Sequence, residues 1–249
     1  MTEIYGHRGA KGEVPENTLA SFTYCLEAGV RCCELDLHLS SDDILMVIHD
    51  ATLKRTTGVG GKVSQYLAQE LTGMDARRTG PHWPQPCPIP TLESLFQQCP
   101  FEHWQLEVKS ASRTRALRTI SALKTLIEKY HLQTKVTVTS SSREVLKALN
   151  ELAPELAKGL VAEYAWLDPI KVAKQYNCQM LVLNWTLCTP ERLHKAQKQG
   201  LHVSVWTVNE LSLMRRLVEL GVDSLITDFP SLAKAHLTQH RDQSSMLIG

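Results

Sequence analysis

Three stretches of the chain join a helix to a strand in the same way: LEAGVRCCELDL at 26–37, QKQGLHVSVW at 197–206 and VELGVDSLITD at 218–228. In each, a helical pattern ends at a glycine (Gly29, Gly200 or Gly221), one apolar residue follows, and a strand begins almost at once. A glycine in the left-handed conformation closes a helix and lets the chain reverse without a linker. Joints this tight belong to β/α units that build a parallel sheet.

Strand candidates fall at 3–8, 32–38, 104–109, 135–140, 158–163, 180–184, 202–207 and 223–227, most of them separated by a helical pattern. Eight such strands in 249 residues predict an α/β fold, a closed (β/α)₈ TIM barrel that forms one domain over 1–249. A further strand-like piece, ILMVIHD at 44–50, follows the second strand after only the turn SSDD. That turn is too short for a parallel crossover, so the piece is expected to run antiparallel as a hairpin. Residues 51–90 carry much of the Gly and Pro and are read as a small insertion. It is expected to replace the helix before the third barrel strand and to lie over one end of the barrel. GVGGK at 58–62 lacks the four-residue gap and the Ser/Thr after lysine that a phosphate loop needs, and reads as a flexible turn. The tail HRDQSSMLIG is expected to fray.

Lys and Arg total 27 against 26 Asp and Glu, so no basic field advertises nucleic acid or an anionic membrane surface. Cys25, Cys32, Cys33, Cys87, Cys99, Cys178 and Cys188 form an odd set without a C-x-x-C pair, which reads as free buried thiols in a reducing compartment. The N-terminus lacks a basic stretch followed by an apolar core, and no apolar run approaches the roughly 20 residues of a membrane span. A cytoplasmic protein without membrane insertion is expected, as a monomer or homodimer.

Chemistry concentrates at strand ends. CCELDLHL alternates Cys33, Leu35, Leu37 and Leu39 with Glu34, Asp36 and His38, the period of a strand with one apolar and one polar face. In a barrel the apolar face meets the helices and the polar face turns into the lumen. Side chains two apart emerge about 6.5–7 Å from each other, close enough for Glu34 and Asp36 to grip one ion. QLEVKS repeats the device with Glu107 and Lys109 on one face. Three carboxylates favour one hard divalent cation, Mg²⁺ or Ca²⁺, over Zn²⁺. His7 and His49, each at a strand end, are candidates for general acid and base. Arg8 offers a planar fork and Lys109 a point charge for phosphate oxygens. Trp206 offers an aromatic face to an apolar or cationic part of a substrate. His38 is given no role, and Glu163, Asn184 and Asp228 are expected to cap. This constellation points to phosphodiester hydrolysis.

GHRG, PENT, ELDL, IHD, RTTG, IPTLESL, LEVK, VWTVN and ITDFP occur in the order seen in the glycerophosphodiester phosphodiesterase family, and the resemblance covers nearly the whole chain. The resemblance implies a TIM barrel with a small insertion and a divalent-metal-dependent hydrolase. It also implies small-molecule substrates, glycerophosphodiesters such as glycerophosphocholine and glycerophosphoethanolamine, cut to sn-glycerol 3-phosphate and an alcohol. By motif, His7 and His49 resemble the acid/base pair, Glu34, Asp36 and Glu107 the metal ligands, and Arg8 and Lys109 the phosphate-binding cations. PENT is expected mainly to position the first turn. TSSSRE at 139–144 departs from the family at Ser142, where an aromatic or other apolar residue is common, and so changes one wall of the alcohol pocket. The branch resembled is the cytoplasmic bacterial one.

Three rival readings remain. A lysophospholipase D-like enzyme would need an apolar groove, and the insertion is only mildly apolar. A non-catalytic glycerol-phosphate binder would have lost a histidine or a metal acid, and all are present. A Schiff-base role for Lys109 is opposed by the acids that keep it charged.

Overall fold

The computed structural model describes residues 2–110, 112–164 and 167–237. In chain order these form β1 (Glu3–His7), α1 (Leu19–Glu27), β2 (Cys32–Leu39), β3 (Leu45–Val47), α2 (Lys54–Thr57), α3 (Ala68–Leu71), α4 (Leu92–Gln98) and β4 (His103–Val108). They continue with α5 (Arg113–Lys129), β5 (Val136–Ser140), α6 (Arg143–Leu152), β6 (Ala157–Ala162), α7 (Pro169–Gln175), β7 (Met180–Asn184), α8 (Pro190–Lys198), β8 (His202–Trp206), α9 (Leu211–Leu220) and β9 (Ser224–Thr227). A helical stretch at 230–237 follows. The predicted tail at 240–249 lies outside the described residues.

Nine strands form one sheet in the order β1-β9-β8-β7-β6-β5-β4-β2-β3, and β1 also pairs with β2. That last pairing closes the eight parallel strands into the expected (β/α)₈ barrel, with β3 antiparallel to β2 as the hairpin predicts. β4 occupies one edge of β2 along Cys32–Leu37, while the other edge is shared. β1 pairs with Cys32–Glu34, and β3 takes over at Leu37–Leu39 once β1 has ended. The hairpin therefore extends the barrel wall upward beside the end of β1. Its strand is shorter than the predicted 44–50: past Val47 the Ile48 N–H turns back to the Asp36 carbonyl, and His49 and Asp50 leave the sheet.

The predicted loss of a helix before the third barrel strand is wrong. α4 stands there, its first turn capped by Thr91, whose side chain accepts the Ser94 N–H. Residues 51–90 are added in front of α4, where Met46, Ile48, Leu53, Val63, Leu71 and Ile89 close a small apolar cluster of their own.

Alternation along the strands sorts the interior. Cys33, Leu35, Leu37 and Leu39 join the apolar layer between barrel and helices, with Leu106, Val138, Leu181, Val203 and Leu225. In the lumen a second cluster, Tyr5, Cys32, Val161, Met180, Val182 and Ile226, fills the barrel beneath its mouth. Burying a leucine-sized side chain in either layer stabilises by about 1.5–3 kcal/mol, so the barrel wall is held from both faces.

At the start of their strands, Tyr5 Oη lies 3.0 Å from His103 Nδ1, and Thr137 Oγ1 lies 3.3 Å from His103 Nε2. Burial, aided by neighbouring His202, pushes the His103 imidazole from 6.5 down to about 4. Its folded form resists protonation, so between those two values the unfolded chain binds more protons and stability falls as pH falls. A shift of this size is worth up to about 3 kcal/mol. Thermal unfolding at about pH 7 and about pH 4.5 should show a smaller acid loss of Tm in His103→Gln than in wild type. An equal loss in both would show that His103 is not the group responsible.

Candidate active site

β1 stops at His7 because Arg8 and Gly9 take φ values of 50° and 83°. The turn lies directly on the strand: a Cβ on Gly6 would stand 2.1 Å from the Gly9 carbonyl oxygen. Arg8 in the left-handed region is a strained choice, costing on the order of 1 kcal/mol. Its bonds hold it there. The backbone N–H donates to Glu34 Oε2 at 3.2 Å and Nη1 donates to Glu16 Oε1 at 2.9 Å, while Nε lies 3.0 Å from Asp36 Oδ2.

The register of β2 on β4 sets Asp36 opposite Glu107 and Glu34 opposite Gln105. One carboxylate oxygen each of Glu34, Asp36 and Glu107 therefore lies within 4.8 Å of the others. Asp36 is 1 % exposed, yet it receives Lys109 Nζ at 3.1 Å, Arg8, and a hydrogen bond from Asn17 Nδ2 at 3.0 Å. Burial works to raise its pKa, but Arg8 and then Lys109 hold it far below the usual carboxylate range. Glu34 is the opposite case: burial, then repulsion from Asp36 and Glu107, pushes it well up. Glu107 is also raised, chiefly by burial, although Lys109 lies 3.3 Å away. The two cations thus satisfy one acid and leave two competing for positive charge.

Each histidine is held from behind by a carboxylate. His7 Nδ1 lies 2.5 Å from Asp228 Oδ1, with Nε2 3.8 Å from Glu34 Oε2. Asp228 is fixed in turn by Asn209, which donates Nδ2 to Oδ2 at 2.9 Å and accepts the Asp228 N–H at 3.0 Å. Burial works to raise the Asp228 carboxyl, but His7, Asn209 and Lys11 together hold it down at about 2. His49 Nδ1 lies 2.6 Å from Asp50 Oδ1. Arg55 donates to both Asp50 oxygens and to both Glu16 oxygens, which ties His49 through Glu16 to Arg8. Both imidazoles are shifted below 6.5, burial being the largest cause for each.

A cavity of about 310 Å³ opens between these groups. His7, Arg8, Glu34, His49, Glu107 and Lys109 line one side, and Val161, Glu163, Val182, Trp206 and Ile226 the other. Asp36 touches it only through its partners, being the buried anchor for both cations. All eight predicted site residues thus fall at one end of the barrel.

Several contributors escaped the sequence reading. PENT does more than position a turn, since Glu16 binds Arg8 and Asn17 binds Asp36. Asp228, expected to cap, instead gives its side chain to His7 and Asn209, and His38 Nε2 lies 3.0 Å from the His49 carbonyl oxygen. Ser141 lines the cavity; Ser142, expected at its wall, instead starts α6 and sends its N–H to Ser140 Oγ at 3.0 Å. Asp50 beside His49 and Arg55 within RTTG carried a visible signal, an acid and a cation flanking a predicted catalytic histidine.

Residues 7–232 match the sequence model of the glycerophosphoryl diester phosphodiesterase family. A glycerophosphodiester phosphodiesterase of Caldanaerobacter subterraneus is 30% identical over 231 residues, covering 92% of this chain and 95% of its own. One from Bacillus altitudinis is 31% identical over 241 residues, 94% of this chain and 97% of its own. Among solved structures, a glycerophosphodiester phosphodiesterase from Agrobacterium tumefaciens superposes with a TM-score of 0.80 at 26% identity, over 94% of this chain and 100% of that one. An Oleispira antarctica phosphodiesterase in complex with the product sn-glycerol-3-phosphate superposes with a TM-score of 0.84 at 24% identity, over 96% and 97%. With the barrel mouth carrying this cluster and the match running along almost the whole sequence, the chain belongs to the glycerophosphodiester phosphodiesterase family of hydrolases.

Proposed function

We propose that the chain hydrolyses glycerophosphodiesters such as glycerophosphocholine and glycerophosphoethanolamine to sn-glycerol 3-phosphate and the free alcohol. One divalent cation, Mg²⁺ or Ca²⁺, serves the reaction, and His7 and His49 act as its general acid and base. The observation that carries this reading is the convergence, on one cavity of about 310 Å³, of Glu34 and Glu107 with Asp36 within 4.8 Å behind them, two cations and two carboxylate-backed imidazoles. The Oleispira relative, caught with sn-glycerol-3-phosphate, supports the product.

The donor set fits a hard cation. Glu34, Asp36 and Glu107 offer only oxygen, and their mutual repulsion is what drives Glu34 upward after burial. These three residues would hold the ion, which, when bound, polarises a phosphoryl oxygen and offsets charge that develops there. Arg8 and Lys109 keep Asp36 charged while facing the cavity. Arg8 Nη2 takes no part in the bonds to Glu16 and Asp36, so it remains for a phosphate oxygen.

Both histidines commit Nδ1 to a carboxylate, which fixes the tautomer and leaves Nε2 for the substrate. One imidazole takes the proton of the attacking hydroxyl as its oxygen bonds to phosphorus. The other delivers a proton to the alcohol oxygen as the old P–O bond breaks. Water as the final nucleophile balances the hydrolysis. The seven cysteines are unpaired and buried, which supports a reducing compartment such as the cytoplasm.

A coupled assay for glycerol 3-phosphate release from glycerophosphocholine tests the reading. Activity should vanish with EDTA and return with Mg²⁺ or Ca²⁺, and absence of release with every metal would refute it. His7→Ala and His49→Ala should each lower kcat by roughly 10²–10⁴-fold; near-normal turnover in both would remove them from the chemistry. The backing carboxylates are unequal, because Arg55 already neutralises Asp50, whereas Asp228 has neutral Asn209 and a Lys11 at 3.6 Å. Asp228→Ala should therefore depress kcat at least about tenfold more than Asp50→Ala. Equal losses would show that the Arg55 pairing does not weaken what Asp50 does for His49.

A further inference from the structure

The side of the cavity away from the carboxylate cluster has no part in the bond-breaking chemistry, and it is chemically distinct. Val161, Val182 and Ile226 make an apolar floor against which the Trp206 ring packs. Registers across β6, β7 and β8 pair Ala162 with Leu183 and Asn184 with Trp206. Glu163 lies in a bend just past the end of β6 and Trp206 ends β8, two strands away, and both line the cavity. Asn184 between them turns its Oδ1 to the Thr186 N–H and hydroxyl, at 3.0 Å and 2.8 Å, and leaves the gap open.

Glu163 differs from the other acids of the cavity. Glu34 and Glu107 face Arg8 and Lys109, whereas no cation among the described residues pairs with Glu163. It accepts a hydrogen bond from the Tyr164 hydroxyl at 3.1 Å. A carboxylate and an indole face across an apolar floor are what an ammonium group requires. The carboxylate supplies the counter-charge, the ring its negative face, and the floor takes up methyl or methylene groups.

We propose that Glu163 and Trp206 form a leaving-group subsite that selects diesters of cationic amino alcohols over diesters of neutral alcohols. This rests on the hydrolase reading above and names the alcohol class for it. With the phosphate between Arg8 and Lys109, a choline or ethanolamine group reaches toward Glu163. A glycerol group in the same place gains neither the counter-charge nor the ring.

The test compares kcat/KM for glycerophosphocholine and glycerophosphoglycerol in wild type, Glu163→Gln, Glu163→Lys and Trp206→Leu, with saturating divalent cation. Wild type should favour the choline ester, and because Glu163 is exposed the choline-to-glycerol ratio should fall about two- to fivefold in Glu163→Gln. It should fall further in Glu163→Lys, and fall also in Trp206→Leu. Glu210→Gln, which removes an equal charge from the exposed start of α9, should leave the ratio unchanged. Turnover of both esters with the same ratio in wild type and Glu163→Gln overturns the subsite and leaves the hydrolase reading standing. An equal fall in Glu210→Gln also overturns it, since a long-range field then suffices. Wild type that turns over neither ester with any metal overturns the hydrolase reading, and the subsite with it.

Discussion

Asp36 collects both cations of the active-site cavity on one nearly inaccessible carboxylate, and the geometry around it follows from that fact. Lys109 reaches Oδ1, Arg8 and Asn17 reach Oδ2, and the Asp36 carbonyl takes the Ile48 N–H where the hairpin strand ends. Residues from β2, β4, the first turn and the hairpin are thereby drawn to one point. A buried carboxylate left alone would cost several kcal/mol, and paired in this way it stays ionised. The strained φ of Arg8 is the local consequence, tolerated because its side chain and its backbone N–H are both engaged.

The same pairing explains why the cavity is not electrically balanced. Three carboxylates meet two cations, so Glu34 and Glu107 are both driven upward while Asp36 is driven down. That imbalance is the physical argument for a divalent ion. The histidines also differ, since the carboxylate behind His7 is held by neutral Asn209 with Lys11 at 3.6 Å, and the one behind His49 is bound directly by an arginine. The ion-pair chain Asp50–Arg55–Glu16–Arg8 joins the hairpin end to the first turn and couples the placement of the two imidazoles.

Residues whose role depends on strand periodicity could be read from the chain: E-x-D on β2 and E-x-K on β4 face one way because side chains alternate, and barrel closure decides which way is inward. The tight glycine joints announced the β/α units in the same manner. What could not be read depends on contacts far apart in the chain. Asp228 meets His7 only because β9 closes against β1, and Glu16 meets Arg55 only because residues 51–90 fold over that side. α4 was missed because its seven residues follow a Pro-rich stretch, and a short helix has a weak periodic signal. Ser141 replaced Ser142 in the cavity for a related reason: the strand-to-helix turn sets which hydroxyl faces inward, and no pattern in three consecutive serines records it.

In the reading we propose, hydrolysis depends on one cation site formed by Glu34, Asp36 and Glu107. Calorimetric titration of Mg²⁺ or Ca²⁺ into EDTA-stripped protein, with wild type beside Glu34→Gln and Glu107→Gln, tests it most directly. Wild type should bind about one ion per chain, and each variant should lose at least about tenfold in affinity. Binding of equal strength in all three proteins, or none in wild type, would contradict it.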